Sequence, residues 1–571
     1  MTGEILGVII MFLLTVVLAY PLGKYMVKVF KGEKTFTDFM NPLERFIFKI
    51  SGINPNESMN WKQFLKAMLT INMLWLVYAM LMLVFQDKLP LNPDGNAGQT
   101  PDLAFNTAIS FLVNCNLQHY SGESGLTYLT QLFVITFLQF LSAATGIACL
   151  VALFNGLKEK TTNNLGNFWN YLVKSTTRIL LPLSIVVATI LAFNGTPTSY
   201  DGKDSMVTLQ GDSVQVSRGP AAGMIAIKQL GTNGGGWFGV NSAHPLENPN
   251  YLTNAVETVS IILIPIALVF ALGFYLKRKK LAYIIFGVMT FLFVIFCSIN
   301  IYYETRGNPA IDQLGIAQTA GSMEGKEVRF GAAATALWSV ATTSTSNGSV
   351  NGMHDSLTPI SGGVVILDMM INALYGGVGV GLLNYFIFII VAVFISGLMV
   401  GRTPEFMGHK VEAREVKIAA LVTLLSAFLI KGFTALAAYF VAHHPEMAWA
   451  VKPGAWLNNP SYHGFSEMLY EYTSANANNG SGFEGLGDNS IFWNVTTGIV
   501  LILGRYLPIV GPIAIIGLLA NKKYIPESPG TLRTDSITFG AMTLAVIVII
   551  TALSYLPPLA LGPLAEYFSL Y

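Results

Sequence analysis

The sequence has little charge and few cysteines. Only 11% of its 571 residues are Asp, Glu, Lys or Arg, whereas soluble globular proteins carry about 25%. With a hydrophobic share of 53% and a mean hydropathy of +0.54, the chain is predicted to be an integral membrane protein. Three widely separated cysteines without metal-ligand spacing support neither a disulfide framework nor a zinc site. A net charge of +1 predicts no nucleic-acid partner.

Signatures of nucleotide hydrolysis are also missing. No Walker loop is present, because no Lys-Ser or Lys-Thr pair follows the glycine-rich segment 231–236. The sequence contains no Asp-Lys-Thr-Gly phosphorylation motif. The apolar segments hold no nucleophile and base pair and no metal-ligand spacing, which disfavours a membrane-embedded enzyme. We therefore predict no catalytic and no cofactor-binding residues, and no ATP hydrolysis by this chain alone.

Ten apolar runs have the length of about 20 residues that a helix needs to cross a bilayer. We predict spans at 5–30, 65–85, 128–153, 177–193, 252–276, 281–302, 363–400, 416–440, 490–520 and 534–556. The first lacks a basic leader, so it is predicted to be a retained helix and not a cleaved signal. Lys and Arg concentrate in the loops after the odd-numbered spans. The positive-inside rule therefore places those loops in the cytoplasm and both termini outside.

Four long segments on the opposite side form an internal repeat. Each joins an even-numbered span to the next one and holds a short semi-apolar stretch followed by small polar residues. Aligned on Asn114, Gly234, Gly348 and Asn476, they recur at intervals of roughly 120 residues, a sign of repeat architecture. A single such segment is equally typical of a surface loop rich in turn residues. Four in register on one side of the membrane favour a common pore.

The predicted fold class is an all-α polytopic membrane protein with ten transmembrane helices. Four pseudo-symmetric repeats of helix, pore helix and helix surround a central pore. An extra N-terminal helix and cytoplasmic loop precede them, and an extra C-terminal helix follows. The predicted boundaries are 1–60 for the first helix and its loop, 61–160, 161–278, 279–412 and 413–525 for the repeats, and 526–571 for the last helix.

The glycine run of the second repeat suits a site made of backbone oxygens. Gly234, Gly235 and Gly236 can adopt conformations closed to other residues, so their carbonyls can replace the water of a desolvated cation. The run also matches GxGxxG, but no strand precedes it, which disfavours a dinucleotide loop. Stretches such as 105–113 and 330–341 are predicted pore helices whose partially negative C-terminal ends point to the bilayer centre. This arrangement favours a cation over an anion.

Two further features interrupt the apolar spans. The run 363–400 would be about 57 Å long as one helix, against about 30 Å of hydrocarbon, so we predict a break near Gly376 and Gly377. Such a break is typical of a gate, although the same glycines also suit close helix packing. Arg505 lies inside the ninth predicted span, where an arginine is costly and faces protein or water. It either blocks direct passage of cations or pairs with a carboxylate or a helix C-terminus.

Four motifs carry a family resemblance. They are Gly-Thr-Asn-Gly-Gly-Gly at 231–236, Asn-Ser-Ala-His-Pro at 241–245, Val-Asn-Gly-Met-His-Asp-Ser at 350–356 and Gly-Arg-Thr-Pro-Glu-Phe at 401–406. Together they resemble the KdpA family, the channel-like, potassium-binding subunits of the bacterial Kdp potassium-transporting P-type ATPase. The resemblance covers essentially the whole chain and extends to the superfamily of potassium transporters with four channel-like repeats.

The resemblance implies a function and a set of partners. Potassium, the transported substrate, would be captured by a four-loop selectivity filter and passed through an intramembrane tunnel to a P-type ATPase subunit. An accessory C-type subunit, a small single-helix subunit and the lipid bilayer of the bacterial cytoplasmic (inner) membrane would be the other partners. The alternative is a stand-alone potassium channel or cation symporter of the same architecture.

The resemblance also implies site residues. The predicted filter residues are Val113, Asn114, Thr232, Asn233, Gly234, Ser346, Asn347, Gly348, Ala475 and Asn476. Gln118 is predicted to brace the first filter turn, and Gly376, Gly377 and Arg505 are predicted to form a gate or to line the tunnel beneath the filter.

Overall fold

The structure is a computed structural model that describes residues 2–401, 403–447, 452–526 and 533–570. Arg402, part of the fourth resemblance motif, lies outside the described residues. The described residues contain ten helices that are long and apolar enough to cross a membrane. These spans 1 to 10 are Gly3–Lys31, Trp61–Val84, Tyr128–Lys158, Phe168–Phe193, Tyr251–Tyr275, Lys279–Gln313, Val380–Met399, Ala413–His443, Ile491–Ala520 and Ile537–Ser569. The all-helical prediction with ten spans is confirmed.

Four shorter helices lie between the spans, one in each predicted repeat. These half-helices 1 to 4 are Pro101–Leu112, Ala221–Leu230, Ala332–Ser344 and Ser461–Ala477. Pro101 suits the first turn of its helix, because the N–H group that proline lacks has no partner there. Every residue of half-helix 3 is buried. Each half-helix therefore lies inside the protein, where its backbone is shielded from lipid.

The spans differ in how much of their surface faces the lipid. In their most apolar windows, spans 3 and 5 have 83% of residues buried, against 22% for spans 1 and 2. Spans 3 and 5 are therefore part of the core around the half-helices, whereas spans 1 and 2 present most of their side chains to the bilayer. The amphipathic helix Asn41–Ser51 follows span 1.

Span 4 begins well before the position that the sequence predicts. The predicted span began at 177, whereas the helix continues back to Phe168. Arg178 is buried and donates to both carboxylate oxygens of Glu44, at 2.6 and 2.7 Å, and to Asp38 at 2.9 Å. The ion pairs compensate the desolvation of the guanidinium. Partners in the segment after span 1 thus allow span 4 to carry a buried charge.

The predicted break in the long apolar run is present. Helix Pro359–Ile371 ends at Asn372, whose φ is +46°, and a new helix runs from Val380 to Val400. We call the connection 372–379 the inner loop. It contains Gly376 and Gly379 at φ of +63° and +83°, conformations that glycine adopts at no steric cost.

Two small antiparallel hairpins are also present. Strand Asp204–Val207 pairs with Ser213–Val216, with Asp204 opposite Val216, and Glu405–Phe406 pairs with His409–Lys410. Both lie in the segments between spans, so neither enters the helical core.

Candidate functional site

All four half-helices end in the same way. The first or second residue after each helix has a left-handed backbone, with φ between 45° and 59° at Asn114, Thr232, Ser346 and Asn478. In every case the next residue donates its N–H to a carbonyl five residues earlier at 2.9 Å, as Asn347 does to Thr342. This pair of features is a Schellman motif. The same irregular turn thus occurs four times, as expected for an internal repeat.

The left-handed residues are not glycines, which carries an energetic cost. A left-handed conformation is rare for a side-chain-bearing residue and rarest for a β-branched one such as Thr232, at φ +45°. Residues in such conformations cost about 1–3 kcal/mol each and cluster at functional sites. The turns are therefore held in place by their surroundings and mark a candidate site.

The common geometry corrects the sequence alignment of the turns. Counting from the left-handed residue, Gly234, Gly348 and Gly480 are equivalent, and Asn116 is their counterpart in the first repeat. The alignment on Asn114 is thus off by two residues and that on Asn476 by four. Ala475 and Asn476 are helical and lie at the C-terminal end of half-helix 4, before the left-handed residue Asn478. The sequence misled because Asn is common both at helix ends and in turns.

The four turns, which we call turns 1 to 4, form a closed ring. Asn116 Nδ2 donates to the carbonyl of Gly234 at 2.5 Å, joining turns 1 and 2. A Cβ atom on Gly234 would overlap the carbonyl oxygen of Asn347, and one on Gly348 would overlap that of Asn479. A Cβ on Gly480 would lie 2.5 Å from the backbone nitrogen of Asn116. Each turn therefore touches the next, and the fourth touches the first.

Four equivalent carbonyl oxygens in this ring have no hydrogen-bond donor in the described part of the chain. They belong to Cys115, Asn233, Asn347 and Asn479, all of which are completely buried. Buried carbonyls are nearly always paired, so each exception calls for an explanation. This position lacks a donor in all four repeats. They form a set of oxygens that can accept a cation.

Asparagine side chains bond turns 2, 3 and 4 to the repeat before each of them. Asn347 Nδ2 donates to the carbonyl of Lys228 at 3.1 Å, and Asn479 Nδ2 donates to that of Thr342 at 2.8 Å. Asn233 Nδ2 makes the corresponding tie to Asn114 Oδ1 at 3.0 Å. The first repeat has Cys115 at this position, a weak donor. These three hydrogen bonds fix the distances between neighbouring turns of the ring.

The backbone carbonyls of Gly234, Gly235 and Gly236 accept hydrogen bonds from side chains. The Gly234 carbonyl accepts from Asn116, as described above. The carbonyl of Gly235 accepts from Lys228 Nζ at 2.7 Å, and that of Gly236 accepts from Gln118 Nε2 at 3.1 Å. Gly236 also donates its N–H to Gln118 Oε1 at 2.9 Å. Gln118 therefore holds the backbone of turn 2 rather than that of turn 1, next to which it stands in the sequence.

Lys228 is a buried cation that the sequence analysis did not single out. Besides Gly235, its ammonium donates to Asn241 Oδ1, Ser242 Oγ and Glu247 Oε2 at 2.9, 2.8 and 3.2 Å. Glu247 Oε1 accepts from the N–H of Trp237 at 2.7 Å. Burial raises the pKa of the Glu247 carboxyl, and the Lys228 charge opposes this shift. A lysine in a half-helix whose other residues are apolar except Gln229 is the signal that could have revealed this role of Lys228.

The inner loop lies directly beneath turns 2 and 3. Val378 donates its N–H to Thr232 Oγ1 at 2.9 Å, and Gly376 donates to the carbonyl of Ser344 at 2.7 Å. Ser346 Oγ donates to Asn372 Oδ1 at 3.0 Å. Both ends of the inner loop are therefore bonded to the ring.

Arg505 lies beside the inner loop and is buried. A Cβ on Gly377 would lie 3.4 Å from Arg505 Nη1, 3.6 Å from the Ser346 side chain and 3.9 Å from Asn114 Nδ2. Among the described residues Arg505 forms no ion pair, and its Nη2 has no hydrogen-bond partner. The interpretation that Arg505 pairs with a carboxylate is therefore wrong for the described chain. No carboxylate within the described residues neutralises its charge below the ring.

Ten spans and a ring of four re-entrant turns define the class of protein. It is a polytopic helical membrane protein with the fold of four-repeat potassium transporters. The crystal structure of the potassium transporter TrkH from Vibrio parahaemolyticus is similar with a TM-score of 0.52 over 89% of this chain and 97% of that one, at 14% identity.

The family follows from the sequence comparisons. The family model described as KdpA, potassium-transporting ATPase A subunit, matches residues 9–568. Proteins named potassium-transporting ATPase potassium-binding subunit are similar over the full length: that of Phocaeicola vulgatus is 64% identical, with all of both chains covered, and that of Geobacillus kaustophilus is 44% identical, with 98% of each covered. The chain belongs to the KdpA family, and the resemblance seen in its motifs is confirmed.

Proposed function

We propose that the chain is the ion-selecting subunit of an ATP-driven potassium importer and that the ring binds potassium. The four unpartnered carbonyls of Cys115, Asn233, Asn347 and Asn479 are the observation that carries this proposal. Neutral carbonyl dipoles can replace the hydration shell of potassium and still release the ion. The C-terminal ends of the half-helices add partial negative charge at the same place.

The proposal refines the predicted filter. Val113, Asn114, Thr232, Asn233, Gly234, Ser346, Asn347 and Gly348 keep their assignment because all lie in or next to turns 1 to 3. In the fourth repeat, Asn478, Asn479 and Gly480 replace Ala475 and Asn476. Gln118 supports the filter through Gly236.

A lateral exit beside turn 3 suits delivery to a pump subunit. A cavity of about 50 Å³ lies between the inner loop and spans 7 to 10, and a volume of about 10–15 Å³ already holds a water molecule. Its polar lining residues include Asn372, which accepts from Ser346 of turn 3. The others are Asn384, Thr423, Ser426, Thr551, Ser554 and Tyr555. We assign this cavity to the start of the tunnel, with Gly376 and Gly377 of the inner loop as its gate.

Arg505 has a role that fits this route. An unneutralised guanidinium below the filter repels a cation that would continue straight through the membrane. Two positive unit charges about 5 Å apart repel each other by about 3 kcal/mol at an effective dielectric constant of about 20. Potassium therefore cannot pass straight from the filter to the cytoplasm, and the lateral cavity beside turn 3 is the remaining route.

Replacing Arg505 by glutamine should let potassium leak. We expect the passive flux of rubidium through vesicles containing the full chain to rise roughly 100-fold, the factor that corresponds to about 3 kcal/mol. Arg505→Lys keeps the positive charge, so its rubidium flux should stay as low as that of the parent chain. Lys431→Gln removes an exposed cation from span 8 and is the matched control. Unchanged flux in Arg505→Gln would contradict the barrier.

The proposed partner is a P-type ATPase subunit, with an accessory C-type subunit and a single-helix subunit. Affinity purification of the full chain from its native membrane tests this. We expect an ATPase subunit in equal amount and ATP hydrolysis that depends on potassium. A chain that purifies alone and conducts potassium in vesicles would instead be a channel, and one that needs a co-transported cation would be a symporter.

The proposed location is the bacterial cytoplasmic membrane, with the ring open to the outside and both termini there. The basic residues of the loops after odd-numbered spans support this orientation, for example at 277–280.

A further inference from the structure

A cluster of metal-ligating side chains lies away from the ring, at the start of half-helix 4. His463 and Glu467 are four residues apart and therefore lie on the same face of the helix. Asp355 reaches them from the third repeat. One ligand atom of each residue lies within 4.8 Å of the corresponding atoms of the other two. Side chains from two repeats that are distant in sequence thus converge.

The cluster is buried but reachable. The Glu467 residue has no exposed surface, the Asp355 side chain is 5% exposed and that of His463 is 17% exposed. An ion can therefore enter past the imidazole. Carboxylates are rarely buried this deeply unless they are paired or bind a metal.

One oxygen in the cluster has no partner. Glu467 Oε1 accepts from the N–H and from Nδ2 of Asn459, at 3.1 and 2.9 Å. Glu467 Oε2 is buried and forms no hydrogen bond within the described chain. The carboxylate is thus fixed through one oxygen, and the other is free to bind a ligand.

The histidine is oriented for ligation. Its Nδ1 lies 2.9 Å from Glu566 Oε1, and its Nε2 lies 2.9 Å from Asp355 Oδ1. A carboxylate on the outer nitrogen of an imidazole is the usual support for a metal-binding histidine. Glu566 supplies it here and leaves Nε2 directed at the cluster.

We propose that Asp355, His463 and Glu467 bind a divalent transition-metal ion, for which zinc is the best fit. One nitrogen and two carboxylate oxygens are a ligand set that zinc accepts, with water completing a tetrahedron. Three ligand atoms at about 2.1 Å from one ion lie about 3.4 Å apart, so the side chains need to move little. The bound ion joins half-helix 4 to the third repeat and, through Glu566, to the C-terminal helix.

Zinc titration of the full-length chain, stripped with a chelator and kept in detergent, tests the site. The expected result is one saturable equivalent of zinc by calorimetry and a higher unfolding temperature with zinc than without. His463→Gln and Glu467→Gln should each weaken binding at least tenfold. His443→Gln removes an exposed histidine outside the cluster and should bind as the parent does.

A second measurement covers variants that fail to fold. Cobalt added to the unmutated chain should give the visible absorption of a four-coordinate nitrogen and oxygen site, and zinc should displace it. No saturable zinc binding by the parent chain would overturn the proposal and leave an ion triad of His463 with Asp355 and Glu566. Zinc binding that Glu467→Gln leaves unchanged, or that His443→Gln removes, would overturn it as well.

Discussion

Replacing Gly234 by aspartate is expected to lower the apparent potassium affinity roughly 100-fold, or about 2.8 kcal/mol at about 1.4 kcal/mol per tenfold. Gly234 has a φ of +68°, and a Cβ there would overlap the carbonyl oxygen of Asn347. That carbonyl is one of the four proposed ligands. The substitution therefore displaces a ligand and places a fixed negative charge in a site that uses neutral dipoles.

The measurement is the potassium concentration that gives half-maximal ATP hydrolysis by the chain assembled with its proposed ATPase partner. Gly223→Asp is the matched control, because Gly223 lies in half-helix 2, which leads into the same turn, and it is exposed with open space where a Cβ would be. Gly234→Ala separates the effect of bulk from that of charge and should lose part of the affinity. Parental affinity in Gly234→Asp would rule out turn 2 as part of the filter.

Replacing Gly480 by alanine should have an effect of similar size, although sequence alignment alone did not assign this glycine to the filter. Its φ of +107° is open to glycine and to almost no other residue. A Cβ there would lie 2.5 Å from the backbone nitrogen of Asn116, where turn 4 meets turn 1. Alanine must therefore push the two turns apart and open the ring.

Gly482→Ala is the control for this variant. Gly482 is two residues further along, and a Cβ there would meet only Glu471 Oε2 at an ordinary 3.7 Å. We expect parental potassium affinity for Gly482→Ala and a loss of roughly 100-fold for Gly480→Ala. Equal affinities in the two variants would contradict the register in which Gly480 is the counterpart of Gly234 and Gly348.

The sequence was sufficient where a local pattern has one physical outcome. Apolar runs of about 20 residues must form spanning helices, because backbone polar groups find no water in lipid, and all ten are present. The break before Val380 was predictable for a similar reason, since the run was too long for one helix and contained clustered glycines. Four motifs were enough to identify the family.

The sequence was insufficient where a residue depends on a distant partner. Three of the four turns begin with Asn or Ser, which are equally common in loops, and the remaining one begins with Thr232, which disfavours a left-handed backbone. No local rule therefore placed turn 4 at Asn478. Arg178, Lys228 and His463 likewise gave no signal alone, because their carboxylate partners lie in other segments of the chain.

Hydrophobic length and glycine content, both local properties, thus determined from sequence alone that this is a ten-span membrane protein with four re-entrant segments. Only the tertiary structure decided which atoms of those segments meet. The register of the ring, the partners of its buried charges and the cluster around Glu467 depend on contacts between repeats. Such contacts exist only after the helices have packed.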